Sequence, residues 1–425
     1  MKSDSAEMSL STGSDSKTKI LFVAPAQSTH THSWVDLMTD SNFDARVFGI
    51  RGTIAPAGFP FQVISTGNRH TSNWLSSYLR WRIAITSRAL LNDKLQFKFL
   101  NFMARIFGQS AEWFGECEEE LLANAILTWK PDIIHTLGIE FSALLFKRTR
   151  KCHNLEHLGV WVISAWGGSD FDLACHDPLY ATRLSSVLQE CDYFIADNDP
   201  AYLHAKELGL DSSKNIHRGK TPGAGGVYVD RLRSLRSTPP SKQRTILIPK
   251  AYECPFSKIL PVFEAVKLCW EQISPCKLVM TACNEEAKAW FRTLPENIRF
   301  CSVLEERIPN EQLFEIMASS RVVLAPSLID GIPNTLYESM ATGAFPIFSP
   351  LETFRDLLKG GENILYARNL YPEEIAGALV KAMNDDILVD SAAELNLPLV
   401  RSLADRSAIK RDVASFYNTI ANRKI

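Results

Sequence analysis

The chain has 425 residues, more than the roughly 250–300 at which a single hydrophobic core stops growing, so two domains are expected. Hydrophobic residues make up 46% and charged residues 22%, with a formal net charge of −2, which is ordinary for a globular protein and gives no global sign of a nucleic-acid partner. The nine cysteines are an odd number with no C-x-x-C pair, and read as reduced, mostly buried thiols in a reducing compartment; no run of about 18 apolar residues occurs, so no membrane span is expected.

Residues 1–17 are Ser-rich and polar without an apolar stretch, and read as a flexible tail rather than a signal peptide. A continuous apolar run then opens the chain's order, "KTKILFVAPA" (17–26), as expected of a buried parallel strand that empties into a loop. Further runs follow at "ARVFGI" (45–50), "DIIHTL" (132–137), "GVWVISAW" (159–166) and "DYFIADN" (192–198), each separated by enough residues for a helix. Strands alternating with helices imply parallel crossovers and a Rossmann-like sheet.

The segment 74–107 breaks this pattern, with six Lys/Arg against one Asp, interleaved with Trp74, Tyr78, Trp81, Phe97, Phe99, Phe102 and Phe107. Two readings stay open for it. One is a basic aromatic surface that lies on an anionic bilayer or takes an amphiphilic acceptor; the other is helices packing an aromatic face on the sheet with solvated cations outside.

A stretch rich in Ser, Pro and basic residues, 232–243, reads as a linker between an N-terminal domain (18–231) and a C-terminal domain (244–395). The second half restarts the pattern at "RTILIPKA" (244–251), "CKLVMTAC" (276–283), "NIRFCSV" (297–303), "RVVLAPS" (321–327) and "AFPIFSP" (344–350). The expected fold is therefore α/β, two Rossmann-like domains facing across a cleft, and the cleft is the default ligand site.

Within the second domain, "PSLIDGIPNTLYESMATGAFP" (326–346) places a strand end, a loop and a helix beginning near Pro333 or Asn334. The N–H groups of Asn334, Thr335 and Leu336 would face back into the loop, where unpaired donors and the positive end of the helix dipole suit a diphosphate. Asp330 lies before the helix start and Glu338 about one turn inside it, so the two carboxylates can flank a phosphate and accept hydrogen bonds from sugar hydroxyls.

This stretch resembles the hallmark P-S-x-x-[ED]-G-x-P-x-x-x-x-E-x-M-A-x-G-x-P of the family 4 retaining glycosyltransferases, which have the GT-B fold. The resemblance implies that Glu338 binds the nucleotide ribose and that Asp330, with Gly331, approaches the donor sugar, although Asp stands where the family usually has Glu. Lys250 and Lys258 in "ILIPKAYECPFSKIL" match the family's pair of diphosphate-binding cations, with Lys250 in place of the usual Arg. Two cations and a helix N-terminus can stabilise a diphosphate leaving group, so no obligatory metal and no cofactor are expected.

In the first domain, "APAQSTHTHSWVDLM" (24–38), "KPDIIHTLG" (130–138), "SAWGGSDFD" (164–172) and "GAGGVYVDRLR" (223–233) are similar to family segments in the right order, extending the resemblance over about residues 18–385. It implies that His30 or His32 and Asp170 face the donor sugar from the acceptor side, and that helices in 396–425 cross back onto the first domain. His135, ending an apolar strand, reads equally as a structural or a site residue.

The implied activity is retaining transfer of a sugar from a nucleoside diphosphate sugar to a glycan, lipid-linked or other hydroxyl acceptor, in the cytoplasm or at the cytoplasmic face of a membrane. The alternatives are a GT-B-like nucleotide-sugar epimerase or phosphorylase, and a non-catalytic nucleotide-sugar binder. Nothing marks a lysine for pyridoxal phosphate, and the motif does not supply an epimerase's acid and base.

Overall fold

The computed structural model describes residues 17–65, 116–167, 171, 177–214 and 221–422. The segment 74–107, and Gly168, Ser169 and Asp170 of the "WGGSD" loop, lie outside the described residues. Among the described residues, no helix is long and apolar enough to cross a membrane.

The apolar runs form strands because their Val, Ile and Leu side chains are covered on both faces. In β1 (Thr18–Ala24), residues 20–24 have no exposed surface, and β4 (Ile133–Leu137) and β5 (Val160–Ser164) are buried throughout. With β2 (Phe43–Gly49), β3 (Gln62–Ser65) and β6 (Tyr193–Ile195) they build one six-stranded sheet in the order β3-β2-β1-β4-β5-β6, all pairs parallel.

The second sheet repeats the plan. β7 (Thr245–Ile248), β8 (Lys277–Met280), β9 (Ser302–Leu304), β10 (Val322–Ala325), β11 (Phe345–Phe348) and β12 (Leu365–Tyr366) lie in the order β12-β11-β10-β7-β8-β9, again all parallel. Each sheet thus changes winding direction beside its first strand, between β1 and β4 and between β7 and β10. In open parallel sheets, ligands bind at the carboxyl ends of the strands at these switch points.

Apolar clusters line both faces of each sheet. One face of the first sheet is covered by the last helix, Arg406–Ala421, which inserts Val413, Tyr417 and Ile420 against Phe22, Trp34 and Val47. Tyr417 is held there by polar contacts: its hydroxyl accepts from Trp34 Nε1 at 3.1 Å and lies 2.6 Å from His135 Nδ1.

His135 is fully buried, with Ser164 Oγ at 2.8 Å on its other nitrogen, and burial pulls its pKa down to about 3. It is therefore a neutral packing histidine.

The chain passes between the two sheets twice, side by side. Val227 donates to the Ala404 carbonyl at 2.8 Å and Arg406 to the Val227 carbonyl at 3.0 Å. Gly226 has φ +77°, and a Cβ there would lie 2.4 Å from the Ala404 oxygen, so the two crossings touch only because this position has no side chain. The buried Arg406 guanidinium donates to the carbonyls of Ser33 and Ala224 at 2.6 and 3.0 Å and to Asp36 at 2.9 Å, tying the crossing to the helix Thr29–Val35.

One expectation is corrected here. Residues 297–300 of "NIRFCSV" are the body of a helix, Glu296–Phe300, and the strand begins only at Ser302. Pro295 starts that turn, with Ile298 buried and Phe300 91% exposed, whereas an i, i+2 strand would place both on one face. The stretch 232–243, read as the connection between the domains, packs on the second one: Arg236 is buried and donates to the Ser320 carbonyl at 2.7 Å, and Ser241 donates through its backbone and hydroxyl to Asp390.

Candidate active site

At the second switch point, β10 runs into the loop 326–333 and then the helix Asn334–Thr342. Pro333 is extended (φ −68°, ψ 133°) as the cap residue, and Gly343 ends the helix at φ 74°. Leu336, Tyr337, Met340 and Ala341 bury the helix against the second sheet, which fixes where its N-terminus points.

Leu336 corrects one expectation: its N–H donates to the Pro333 carbonyl at 2.9 Å, so it is not among the donors left open. The N–H groups of Asn334 and Thr335, first in the helix, have no carbonyl one turn back and form the open end.

Lys250 follows β7, the strand beside β10, and its ammonium is ion-paired with the Asp330 carboxylate. Burial lowers the lysine pKa, but Asp330, Tyr252 and Glu338 together outweigh it, so the net shift is upward and the ammonium stays charged. Glu338, one turn into the helix, is partly buried; loss of hydration pushes its carboxyl up to about 7, with Lys250 pulling the other way.

Lys258 sits on the adjoining loop, its Nζ 3.0 Å from Glu253 Oε1. Asn369 stitches that loop to the one carrying Asp330: it accepts from Lys258 N at 2.9 Å and donates to the carbonyls of Lys258 at 3.0 Å and Pro326 at 3.1 Å. Leu328 N donates to the Phe256 carbonyl at 2.7 Å, and Thr353 Oγ1 to the carbonyls of Asp330 and Gly331 at 3.1 and 3.2 Å.

His30 approaches from the first domain, on the helix Thr29–Val35 after β1, with its ring 5.5 Å from that of Trp166. It is reached by solvent yet lies within the cleft: desolvation lowers its pKa most, Asp330 raises it and Lys250 lowers it again. The ring is therefore neutral at pH 7 and within electrostatic reach of the Asp330–Lys250 pair. His32 does something else, with its Nε2 2.6 Å from the Ala26 carbonyl and its ring stacked on Phe59 at 4.7 Å, so it shapes the loop.

The fold thus gathers Lys250, Asp330, Gly331, Glu338, the Asn334–Thr335 helix start and His30 around one cleft, with Lys258 on the neighbouring loop. Sequence reasoning missed Tyr252, which flanks Lys250 and Asp330 and whose pKa is raised chiefly by burial; its place just past the end of β7 was the available signal. It also missed Asn369, Thr353 and Asp197, which lie far along the chain and carry no local signature. Among the described residues, no group of three or more His, Cys, Asp or Glu could hold a metal ion.

Residues 252–385 match the family model for glycosyl transferases group 1. The two-sheet architecture is that of GT-B glycosyltransferase structures. One is Anabaena HepE (Alr3699) in complex with UDP and glucose, at TM-score 0.65 and 12% identity over 95% of this chain and 100% of that one. Another is a sucrose-phosphate synthase from Thermosynechococcus elongatus, at TM-score 0.63 and 12% identity over 95% and 99%. A putative UDP-N-acetylglucosamine 2-epimerase from Listeria monocytogenes shares the fold at TM-score 0.56 and 12% identity over 96% and 97%. Likeness at this identity is likeness of fold, common to transferase and epimerase alike. No curated protein matches the chain in sequence.

Proposed function

We propose that this protein is a retaining glycosyltransferase that moves a sugar from a nucleoside diphosphate sugar to a hydroxyl of a glycan or lipid-linked acceptor. The observation that carries the reading is the convergence of Lys250, Asp330 and Glu338 with an open helix N-terminus at the second switch point, facing His30 across the cleft. Two further observations support it: the family match of 252–385, which spans most of the site, and the UDP and glucose held by a protein of the same fold.

In this reading the diphosphate lies on the Asn334–Thr335 end of the helix with Lys250 and Lys258 beside it, and the ribose hydroxyls donate to Glu338. The acceptor oxygen bonds to the anomeric carbon on the face from which the diphosphate departs. The bond from that carbon to the phosphate oxygen breaks, and the departing phosphate takes the acceptor's proton. Lys250 and Lys258 stabilise the charge that grows on the diphosphate, so the chemistry needs no metal. Asp330 and neutral His30 hold sugar hydroxyls, and Asp170 serves the acceptor side. The site works in the cytoplasm or at the cytoplasmic face of a membrane, with the basic aromatic segment 74–107 either as a contact to anionic lipid or as helices packed on the first sheet.

A panel of nucleoside diphosphate sugars tested by thermal shift decides whether a donor binds, since a ligand at 100 times its Kd stabilises by about 2.7 kcal/mol. One base and sugar should stand out. A flat response across uridine, guanosine, adenosine and thymidine diphosphate sugars would reject the proposal.

A further inference from the structure

Asp197 lies two residues past the end of the first domain's last strand, β6, yet it bonds to the second domain. It is 5% exposed, and its Oδ2 accepts from the backbone N–H of Ile332 at 3.0 Å, two residues past Asp330. Its other oxygen is fixed from behind: Asn198 Nδ2 donates to Oδ1 at 2.6 Å, and Asn198 is itself held by capping the helix Asp199–Glu207 through Ala201 N at 2.8 Å. The carboxylate is thus aimed across the gap by the first domain's own secondary structure.

The opposing surface is shaped to receive it. Gly331 meets Asp197 so closely that a Cβ there would lie 2.8 Å from Oδ2 and 3.0 Å from Gly167 Cα. From the far side, Thr353 holds the carbonyls of Asp330 and Gly331. The loop that carries Asp330 is therefore clamped between a first-domain carboxylate and a second-domain hydroxyl, while His30 comes from the same first-domain side.

We propose that Asp197 is a positioning residue that latches the two domains shut on the Asp330–Ile332 loop and so sets Asp330 opposite His30. The latch rests on the proposed transferase reading for its effect on rate, but not for its effect on domain closure. Its bond to Ile332 falls ahead of the Asn334–Thr335 helix start and of Glu338, so breaking it is expected to change how often the cleft is assembled more than the nucleotide contacts themselves.

The test uses the full chain as Asp197→Ala, Asp197→Asn and Gly331→Ala, measured by small-angle scattering, nucleoside diphosphate titration (UDP, GDP and ADP) and initial-rate transfer. Losing a buried hydrogen bond to a charged acceptor shifts the closed-to-open ratio by roughly 10- to 100-fold. Asp197→Ala should therefore enlarge the radius of gyration and lower kcat on the order of tenfold or more, with nucleotide affinity and donor KM held within about twofold. Asp197→Asn keeps one acceptor oxygen, to be shared between Asn198 and Ile332, and should fall between the wild type and Asp197→Ala. Gly331→Ala leaves Asp197 intact but blocks its approach, and should reproduce the open form.

Wild-type scattering and kcat in both Asp197→Ala and Gly331→Ala would overturn the latch. So would a parallel loss of nucleotide affinity, melting temperature and rate with no recovery in Asp197→Asn, which marks a purely structural role. If no nucleotide binds even the wild type, the transferase reading fails, while the scattering comparison still decides the latch.

Discussion

Glu338→Gln separates the cost of a site residue from its use. The Glu338 carboxyl is pushed by burial from its ordinary 4.5 up to about 7. Between those values the folded state binds the proton more tightly than the unfolded state, so the stability linked to this group is fully present below pH 4.5 and is lost as pH rises through 7. The shift corresponds to at most about 3 kcal/mol, and partial access to water brings it to about 2 kcal/mol. Glutamine does not titrate, so the variant should melt above the wild type at pH 8, by roughly 4–8 °C for a domain of this size, and close to it at pH 5.

Binding should run the opposite way. A ribose contact to an ionised carboxylate contributes about 1.5–3 kcal/mol, so the variant should bind nucleoside diphosphate roughly 10- to 100-fold more weakly at pH 8. Both proteins should bind more weakly as the nucleotide's terminal phosphate protonates at about pH 6, and the wild type should show an additional decline through pH 7 that the variant lacks. Calorimetric melting and titration from pH 5 to 8.5 read both effects. A variant with unchanged affinity and no pH-dependent gain in stability would refute both the burial argument and the ribose assignment.

Three further outcomes follow from the site. Lys250→Ala and Lys258→Ala should each lower kcat on the order of 10²-fold, as for the loss of one preorganised donor to a developing anion; near-normal kcat in both would remove the diphosphate from this loop. Asp170→Ala should bind donor almost normally and lose transfer, and a wild-type transfer rate would make the "WGGSD" loop scaffolding. If 74–107 is a basic aromatic surface, the protein should sediment with anionic vesicles and be released by salt, whereas indifference to lipid charge would favour the packing reading.

The parallel core was legible because burial on both faces leaves continuous apolar runs, as in β1, β4, β5 and β10. Two edge strands were not: β3 is only partly covered along its four residues, and β12 has only two. At 297–300 the alternation of Ile298 and Phe300 suggested a strand, but Pro295 had already started a helical turn. In the site, Asp330 and Glu338 were readable because one strand, loop and helix fix them locally. The Lys250–Asp330 pair spans 80 residues and depends on β7 and β10 lying side by side in the second sheet, while the Asp197–Ile332 bond spans 135 and depends on how the two domains meet; no local pattern encodes either. His32 looked like His30 in sequence, and only the fold shows that its ring turns to the Ala26 carbonyl.

The central claim is retaining transfer, and the anomeric configuration of the first-formed product tests it most directly. The wild-type protein, incubated with the nucleoside diphosphate sugar that stabilises it, should release sugar slowly to water or pass it to an added acceptor. Proton NMR during the first turnovers, before mutarotation, should show the anomeric configuration of the donor preserved. An inverted anomer, or release of an epimerised sugar with no transfer, would contradict the account.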